Sequence, residues 1–325
     1  MIRRFAAFGA VLVGVVLLAA QVSAQQYPAR TVTIIVPYPA GGPTDETARV
    51  VAQSLSVQLK QTFIVENVSG AGTIIGTEKV ARGSPDGYML LLHNLQISAN
   101  VTLYKKLPFD TEKDLSPVML VNRNPLVLVG RGSLAPNGLP GLISLMKTQR
   151  MKAAIPGYGA TGHLATTLLA QEAKVEIDQI PYRGAAPALA DLLGGHVDLF
   201  FATPQSVVQQ VATGTLKAYG VTSKDELPEF PGLDSFVTVF GPKLDIVYWQ
   251  ALFAPAGTPA AVIGALNDAL QKTVSDPAVV KPWAAQDVSP FPKEQRSPAA
   301  AGALLASEIA RWGDVIRANG IHIDQ

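Results

Sequence analysis

The chain has 325 residues, 48% of them hydrophobic, with 26 Lys and Arg against 25 Asp and Glu and no cysteine. A formal net charge of +1 gives no electrostatic case for nucleic acid, and the lack of cysteine excludes disulfides and thiolate metal sites. This length and apolar content fit two compact domains.

The first predicted element is a leader. Arg3 and Arg4 precede an apolar run from Phe5 to Ala20, and Val22-Ser23-Ala24 closes it with small residues. That three-part layout predicts a secretory signal peptide over residues 1–24, cut after Ala24. The apolar run is short for a membrane anchor, and Phe5 directly behind the arginine pair does not suit twin-arginine export. Cleavage removes two Arg and no acid, which leaves about 301 residues and shifts the net charge from +1 to −1. No later apolar run approaches membrane-spanning length. The expectation is a soluble, periplasmic, monomeric α/β protein whose core needs no covalent staple.

Short β-rich runs then alternate with helical patterns. Residues 31–36 (TVTIIV) read as a buried strand and 44–59 as a helix, with Ala48, Val51, Leu55 and Leu59 on one face and Thr44 or Asp45 as its cap. Strands follow at 63–67 and 87–94, with a short helix over 77–81 between them. Such alternation predicts parallel α/β layers. Residues 121–141 break the rhythm with Pro, Gly and Asn and mark a crossing into a second domain. There the pattern repeats: helix 139–149, strand 152–156, helix 162–173, strand 178–182, helix 186–195, strand 197–203, helix 204–213, strand 216–223. Residues 224–246 read as irregular. A strand in 247–259 returns to the first domain, and helices at 259–275 and 297–319 complete it. The last helix carries Ala303, Leu304, Ile309, Trp312 and Ile316 as its apolar stripe and ends at Gly320. The predicted division is 25–126 and 248–325 for the first domain and 127–247 for the second.

Two loops share one construction. "IIVPYPAGGPTDETARVV" and "AAIPGYGATGHLATTLLA" each run strand, proline, glycine-rich turn, hydroxyl, helix, about 120 residues apart. A helix start leaves backbone N–H groups unpaired, its dipole adds positive potential, and glycine permits close approach. The product is an anion cradle without formal charge. Gly157, Gly159 and Gly162 also match G-x-G-x-x-G, the dinucleotide fingerprint. Export, the loop's place in the second domain, and a partner loop at Gly41–Gly42 without that spacing argue against a nicotinamide enzyme. Two opposed cradles instead predict a cleft that closes on an acid by hinge motion.

The stretches YPARTVTIIVPYPAGGPTDETAR, SGAGTIIGTEKVARGSPDGYMLLL, LYKKLPFDTEKDLSPVMLV, IPYRGAAPALADLLGGHVDLFF and LFAPAGTP stand in one order. Together they resemble the extracytoplasmic solute receptors of tripartite tricarboxylate transporters, the Bug-type receptors, across residues 27–320. The resemblance implies a type II periplasmic-binding-protein fold: two α/β domains, a ligand cleft between them and two crossing strands. It implies no enzyme activity and no cofactor, and a small organic carboxylate as ligand. The partners it implies are the permease subunits of a tripartite transporter; a sensing output to a membrane protein is the alternative. The matching first-loop positions are Tyr38, Pro39, Ala40, Gly41, Gly42, Pro43, Thr44 and Asp45. Those of the second loop are Gly157, Gly159, Ala160, Thr161, Gly162 and His163. Pocket positions that set specificity are expected at His93, Asn94, Gln96 and Ser98, around Tyr182 and Arg183, and over Ala202–Gln205, including Thr203. Where relatives often carry a basic residue shortly after VTS, this chain reads Lys224, Asp225, Glu226.

Individual side chains leave alternatives open. Tyr38 serves either as a ligand contact or as hinge packing, and His163 either as a contact or as support for its strand. Asp45 is expected to cap its helix, because a carboxylate facing the pocket repels the ligand. Arg183 suits a bidentate carboxylate contact or an ion pair with Asp198 or Asp191, and Asp198 alternatively anchors an amine. Trp249 lines the cleft or packs in the hinge, whereas Trp283 and Trp312 are expected in the core. Four scattered histidines predict no metal site.

Overall fold

Alternating apolar runs become strands and amphipathic runs become the helices that cover them, in two successive α/β units. The computed structural model describes residues 27–323, so the leader expected over 1–24 lies outside it. The first unit contains β1 (Val32–Val36), α1 (Pro43–Leu59), β2 (Phe63–Asn67), α2 (Ile74–Ala81), β3 (Met89–Asn94), α3 (Gln96–Leu103) and β4 (Leu115–Pro125). The second contains β5 (Val127–Arg131), α4 (Gly138–Met146), β6 (Met151–Ile155), α5 (Thr161–Ala173), β7 (Ile177–Pro181), α6 (Ala185–Leu193), β8 (Leu199–Ala202), α7 (Pro204–Ala212), β9 (Leu216–Val221) and α8 (Phe236–Phe240). The chain then returns to the first unit through β10 (Val247–Pro255), α9 (Ala260–Thr273), α10 (Pro277–Ala284), β11 (Ser289–Pro290) and α11 (Pro298–Ala318).

The first lobe holds a six-stranded sheet in the order β11-β4-β10-β3-β1-β2, and the second a five-stranded sheet in the order β7-β6-β8-β5-β9. Within them β1 runs parallel to β2 and β3, and β6 parallel to β7 and β8. The parallel layers expected from alternation form around β1 and β6, but each sheet is mixed. Strand β10 is antiparallel to β3 and β4, and β5 is antiparallel to β8 and β9. These two strands arrive from the opposite lobe and so enter their sheets in reverse.

The crossing itself is more regular than its composition suggests. Strands β4 and β5 are separated by Leu126 alone, so residues 121–131 are extended rather than loop. Val121, Leu126, Val127, Leu128 and Val129 are all buried, and that burial outweighs the Asn and Pro between them. Thr222 staples the hinge. Its N–H donates to Leu126 O, its Oγ1 accepts from Leu126 N–H, and its hydroxyl donates to Ile246 O.

Other local expectations shift for identifiable reasons. Helix α1 starts at Pro43 with Gly42 as its cap, not Thr44 or Asp45, because proline at the first helical position needs no N–H partner. In α11 the buried stripe is Ala301, Leu305, Glu308, Trp312 and Ile316, and Ala303 is exposed. Helices α8 and α10 lie where the sequence pattern predicts none. Trp249 packs in the interior: its indole N–H and that of Trp312 both donate to Glu308 Oε2, at 3.2 and 2.8 Å. Trp283 and Trp312 are buried as expected.

Candidate functional site

Because β7, β6 and β8 are parallel neighbours, the helices that follow them begin at one edge of the second sheet. The loop after β1 brings the start of α1 to the same place from the first lobe. Gly42, Ala160, Gly184 and Thr203 are the cap residues of α1, α5, α6 and α7, and all four line one cavity of about 60 Å³. None of the four helices has a side chain capping its first amides. By the usual figure of roughly half a unit of positive charge per helix start, this convergence is strongly electropositive. Among the described residues lining the cavity, none is charged.

The two glycine loops are locked by the same bond. Asp45 Oδ2 accepts from Gly41 N–H at 3.0 Å, and His163 Nδ1 accepts from Gly159 N–H at 3.0 Å. In each case the third helical residue reaches back four positions. The two glycines sit at φ +82° and +77°, the left-handed region that favours glycine. Their amides are therefore already taken, and they shape the turns. The helical ladders open with Glu46 N–H on Gly42 O and Leu164 N–H on Ala160 O. The amides that precede the ladder are those of Gly42, Thr44 and Asp45 in one lobe and Thr161, Gly162 and His163 in the other.

Asp45 is an internal brace. Arg49 donates to both its oxygens, Gly41 N–H to one and Asn67 Nδ2 to the other. Burial raises its pKa, but the Arg49, Gly41 and Asn67 donors outweigh that and hold it below the usual carboxylate value. Burial pushes the His163 imidazole down to about 4, so it is neutral and can accept the Gly159 proton. A lowered histidine pKa stabilises the fold above the unfolded value of 6.5, and the contribution is lost as pH falls through about 4. Thermal melts are expected to show declining stability between those values, with His163→Gln flattening the profile. An unchanged slope in that variant contradicts the lock.

A neutral polar network covers the first-lobe wall. Tyr38 OH donates to Asn94 Oδ1 at 2.8 Å and lies 3.1 Å from Gln96 Oε1. Asn94 Nδ2 donates to Thr44 Oγ1 and to Tyr248 OH, which are 2.8 Å apart. Burial raises Tyr38 well above its ordinary value and Tyr248 to about 12, so both phenols keep their protons. Only one of the Thr44 and Tyr248 hydroxyls donates to the other, which leaves one proton for the cavity. Across the cleft, Thr161 Oγ1 is buried without a hydrogen-bond partner. The lobes meet here as well: Gln96 Nε2 donates to Tyr158 O at 2.9 Å.

Of the site residues expected from sequence, Tyr38, Gly42, Pro43 and Thr44 line the cavity from one side, with Asn94 and Gln96. Ala160, Thr161 and Thr203 line it from the other. Ala40, Gly41, Gly159, His163 and Arg183 do not. Ala40 is exposed. Arg183 is exposed on an adjoining outer groove of about 780 Å³ and forms no ion pair among the described residues. It pairs with neither expected partner. Asp198 is held by Arg131 at 2.9 Å and by Lys152 N–H, and Asp191 accepts from Tyr182 OH. Asp198 does not line the cavity and is engaged by Arg131 and Lys152 instead of an amine there. His93 is fully buried beside Thr73, and Ser98 donates to Leu95 O. Sequence reasoning missed Gly184, Ala185 and Ala186 at the start of α6, and Tyr248 on β10. The available signal was the glycine start of RGAAPALADLL, a helix with no Ser, Thr or Asp at its cap.

Two mixed α/β lobes joined at a double crossing and closed over an electropositive, cation-free cavity define a solute-binding receptor. Residues 47–321 match the model of the tripartite tricarboxylate transporter family receptor, and the chain belongs to that family. Protein BugT of Bordetella pertussis is 36% identical over 310 residues, covering 93% of each chain. The structure of the periplasmic binding protein BugD superposes with a TM-score of 0.86 at 34% identity, covering 91% of this chain and 99% of that one. MatC from Rhodopseudomonas palustris, solved with bound malate, gives 0.83 at 31% identity over 89% and 100% of the two chains. Another R. palustris protein, solved with adipate, gives 0.85 at 29% over 91% and 99%. The fold is that of the periplasmic binding proteins, and the family consists of receptors, not enzymes.

Proposed function

We propose that this protein is a periplasmic receptor that binds a small organic carboxylate in the interdomain cleft and delivers it to the permease subunits of a tripartite tricarboxylate-type transporter. The observation that carries the reading is the buried, unpartnered Thr161 hydroxyl beside uncapped helix starts from both lobes. A carboxylate accepts from such donors, and the amides supply the charge complementarity that a cation otherwise provides. Closed lobes linked through Gln96 and the Tyr158 carbonyl suit a ligand that bridges both walls. The malate and adipate complexes of the two R. palustris relatives support the ligand class.

A thermal-shift screen of the mature protein against a carboxylate panel tests this reading, since ligand binding raises the melting temperature by mass action. Thr161→Val keeps the side-chain shape and removes the donor. It is expected to weaken the best acid by about 10- to 150-fold, the equivalent of one charge-assisted hydrogen bond. Calorimetry showing equal affinity removes Thr161 from the site.

A further inference from the structure

Building on the carboxylate reading, we propose that Arg183 is the capture residue of the receptor: it draws the anion to the mouth of the cleft and releases it inward as the lobes close. The ground is the position of that mouth. The inner cavity and the outer groove of about 780 Å³ share a wall made of Tyr38, Pro39 and Gln96 from the first lobe and Pro156 and Gly184 from the second. Two contacts between the lobes shut this wall. Gln96 Nε2 donates to Tyr158 O at 2.9 Å, and Pro39 lies against Gly184, where an added Cβ stands 3.3 Å from Pro39 Cδ. Leu126 and Tyr248, which belong to the crossing, line the cavity and not the groove. The groove therefore faces away from the hinge, on the side that parts when the lobes swing open.

Arg183 immediately precedes Gly184, the cap of α6, so its charge stands one residue outside a helix start of the cavity. It is exposed, and it is the only Lys, Arg, Asp or Glu among the described residues that line the groove. The overall charge supplies no attraction of its own: without residues 1–24 the chain carries a formal −1. Local charge at the entrance then sets how often an anion is delivered there. In bulk water a unit charge about 4 Å away favours an anion by roughly fivefold, and the advantage fades with distance. Such an exposed pair holds its anion only briefly. The uncapped amides inside the cavity act in a drier setting, where attraction is several times stronger, and the anion passes on to them.

The test is stopped-flow kinetics on the mature protein, with the tightest acid from a panel of linear and aromatic mono- and dicarboxylates and its neutral primary amide as control. At about 10 mM salt, where screening reaches only beyond about 30 Å, Arg183→Gln is expected to lower the association rate constant by about fivefold. Arg183→Glu reverses the charge and is expected to lower it by about 25-fold. The dissociation rate constant is expected to stay within about twofold in both, and the association rates to converge near 1 M salt, where the Debye length is about 3 Å. Lys147→Gln removes the same charge from an exposed position outside the groove and is expected to change neither constant. Faster dissociation with unchanged association makes Arg183 a contact of the bound acid and overturns the inference. So does an equal loss of association rate in Lys147→Gln, or no change in any variant. Those three results leave the carboxylate reading intact. Binding of the neutral amide as tightly as the acid, or of no acid in the panel, overturns that reading itself and the role of Arg183 with it.

Discussion

Gly159→Val is expected to weaken carboxylate binding at least about a hundredfold, equivalent to nearly 3 kcal/mol, with the protein still folded. A Cβ at this position meets Leu103 Cδ2 at 2.7 Å and Asn100 Oδ1 at 3.1 Å. Both belong to α3 of the opposite lobe, so the clash is relieved by separating the lobes and not by unfolding either one. Gly41 is the internal control. It has nearly the same φ, +82° against +77°, but a Cβ added there meets nothing within 4 Å. Gly41→Val therefore carries the backbone strain of roughly 1–2 kcal/mol without blocking closure. Calorimetry and melting curves on both variants separate the effects. Equal affinity losses attribute the whole effect to the turn and contradict the closure account.

Asp45→Ala is expected to lower folding stability by about 3 kcal/mol, among the larger single-site effects. The substitution leaves Gly41 N–H without its acceptor, takes one of two acceptors from Asn67 Nδ2, which keeps Tyr38 O, and frees Arg49 from its clamp. Because the folded pKa of Asp45 is depressed, its contribution is present above the ordinary carboxylate range and fades as pH falls through and below it. Denaturant unfolding at neutral pH measures the loss, and Asp45→Asn should recover part of it by keeping one acceptor. A change within a few tenths of a kcal/mol, as for an ordinary surface site, excludes Asp45 as the brace of the first loop.

The order of elements is readable because strand and helix periodicities are local properties. Strand direction is not. Nothing within VYWQALF or PLVLVG reports that β10 and β5 run against their neighbours, since direction follows from the lobe of origin. The Leu126 crossing is hidden for the opposite reason: Pro and Asn suggest a loop where burial on both sides imposes a strand.

Half of the cradle is visible in the same way. The glycine loops before α1 and α5 carry their own signatures, but α6 and α7 join them only through the neighbour order β7-β6-β8. Tyr248 reaches Thr44 across 204 residues of chain, a contact that no spacing predicts. Arg183 shows the reverse case. It is the kind of charge that carboxylate sites often use, and the fold leaves it on the outer groove while main-chain dipoles occupy the cavity.

Amide-resolved NMR measures this most directly, by titrating isotope-labelled mature protein with the acid that gives the largest rise in melting temperature. The largest downfield amide-proton shifts are expected at Gly42, Thr44, Thr161 and Gly162, with little change at Arg183. Shifts confined to Arg183 and to Ser69–Gly72, which line the same outer groove, with the four cradle amides unmoved, contradict a carboxylate held by helix starts.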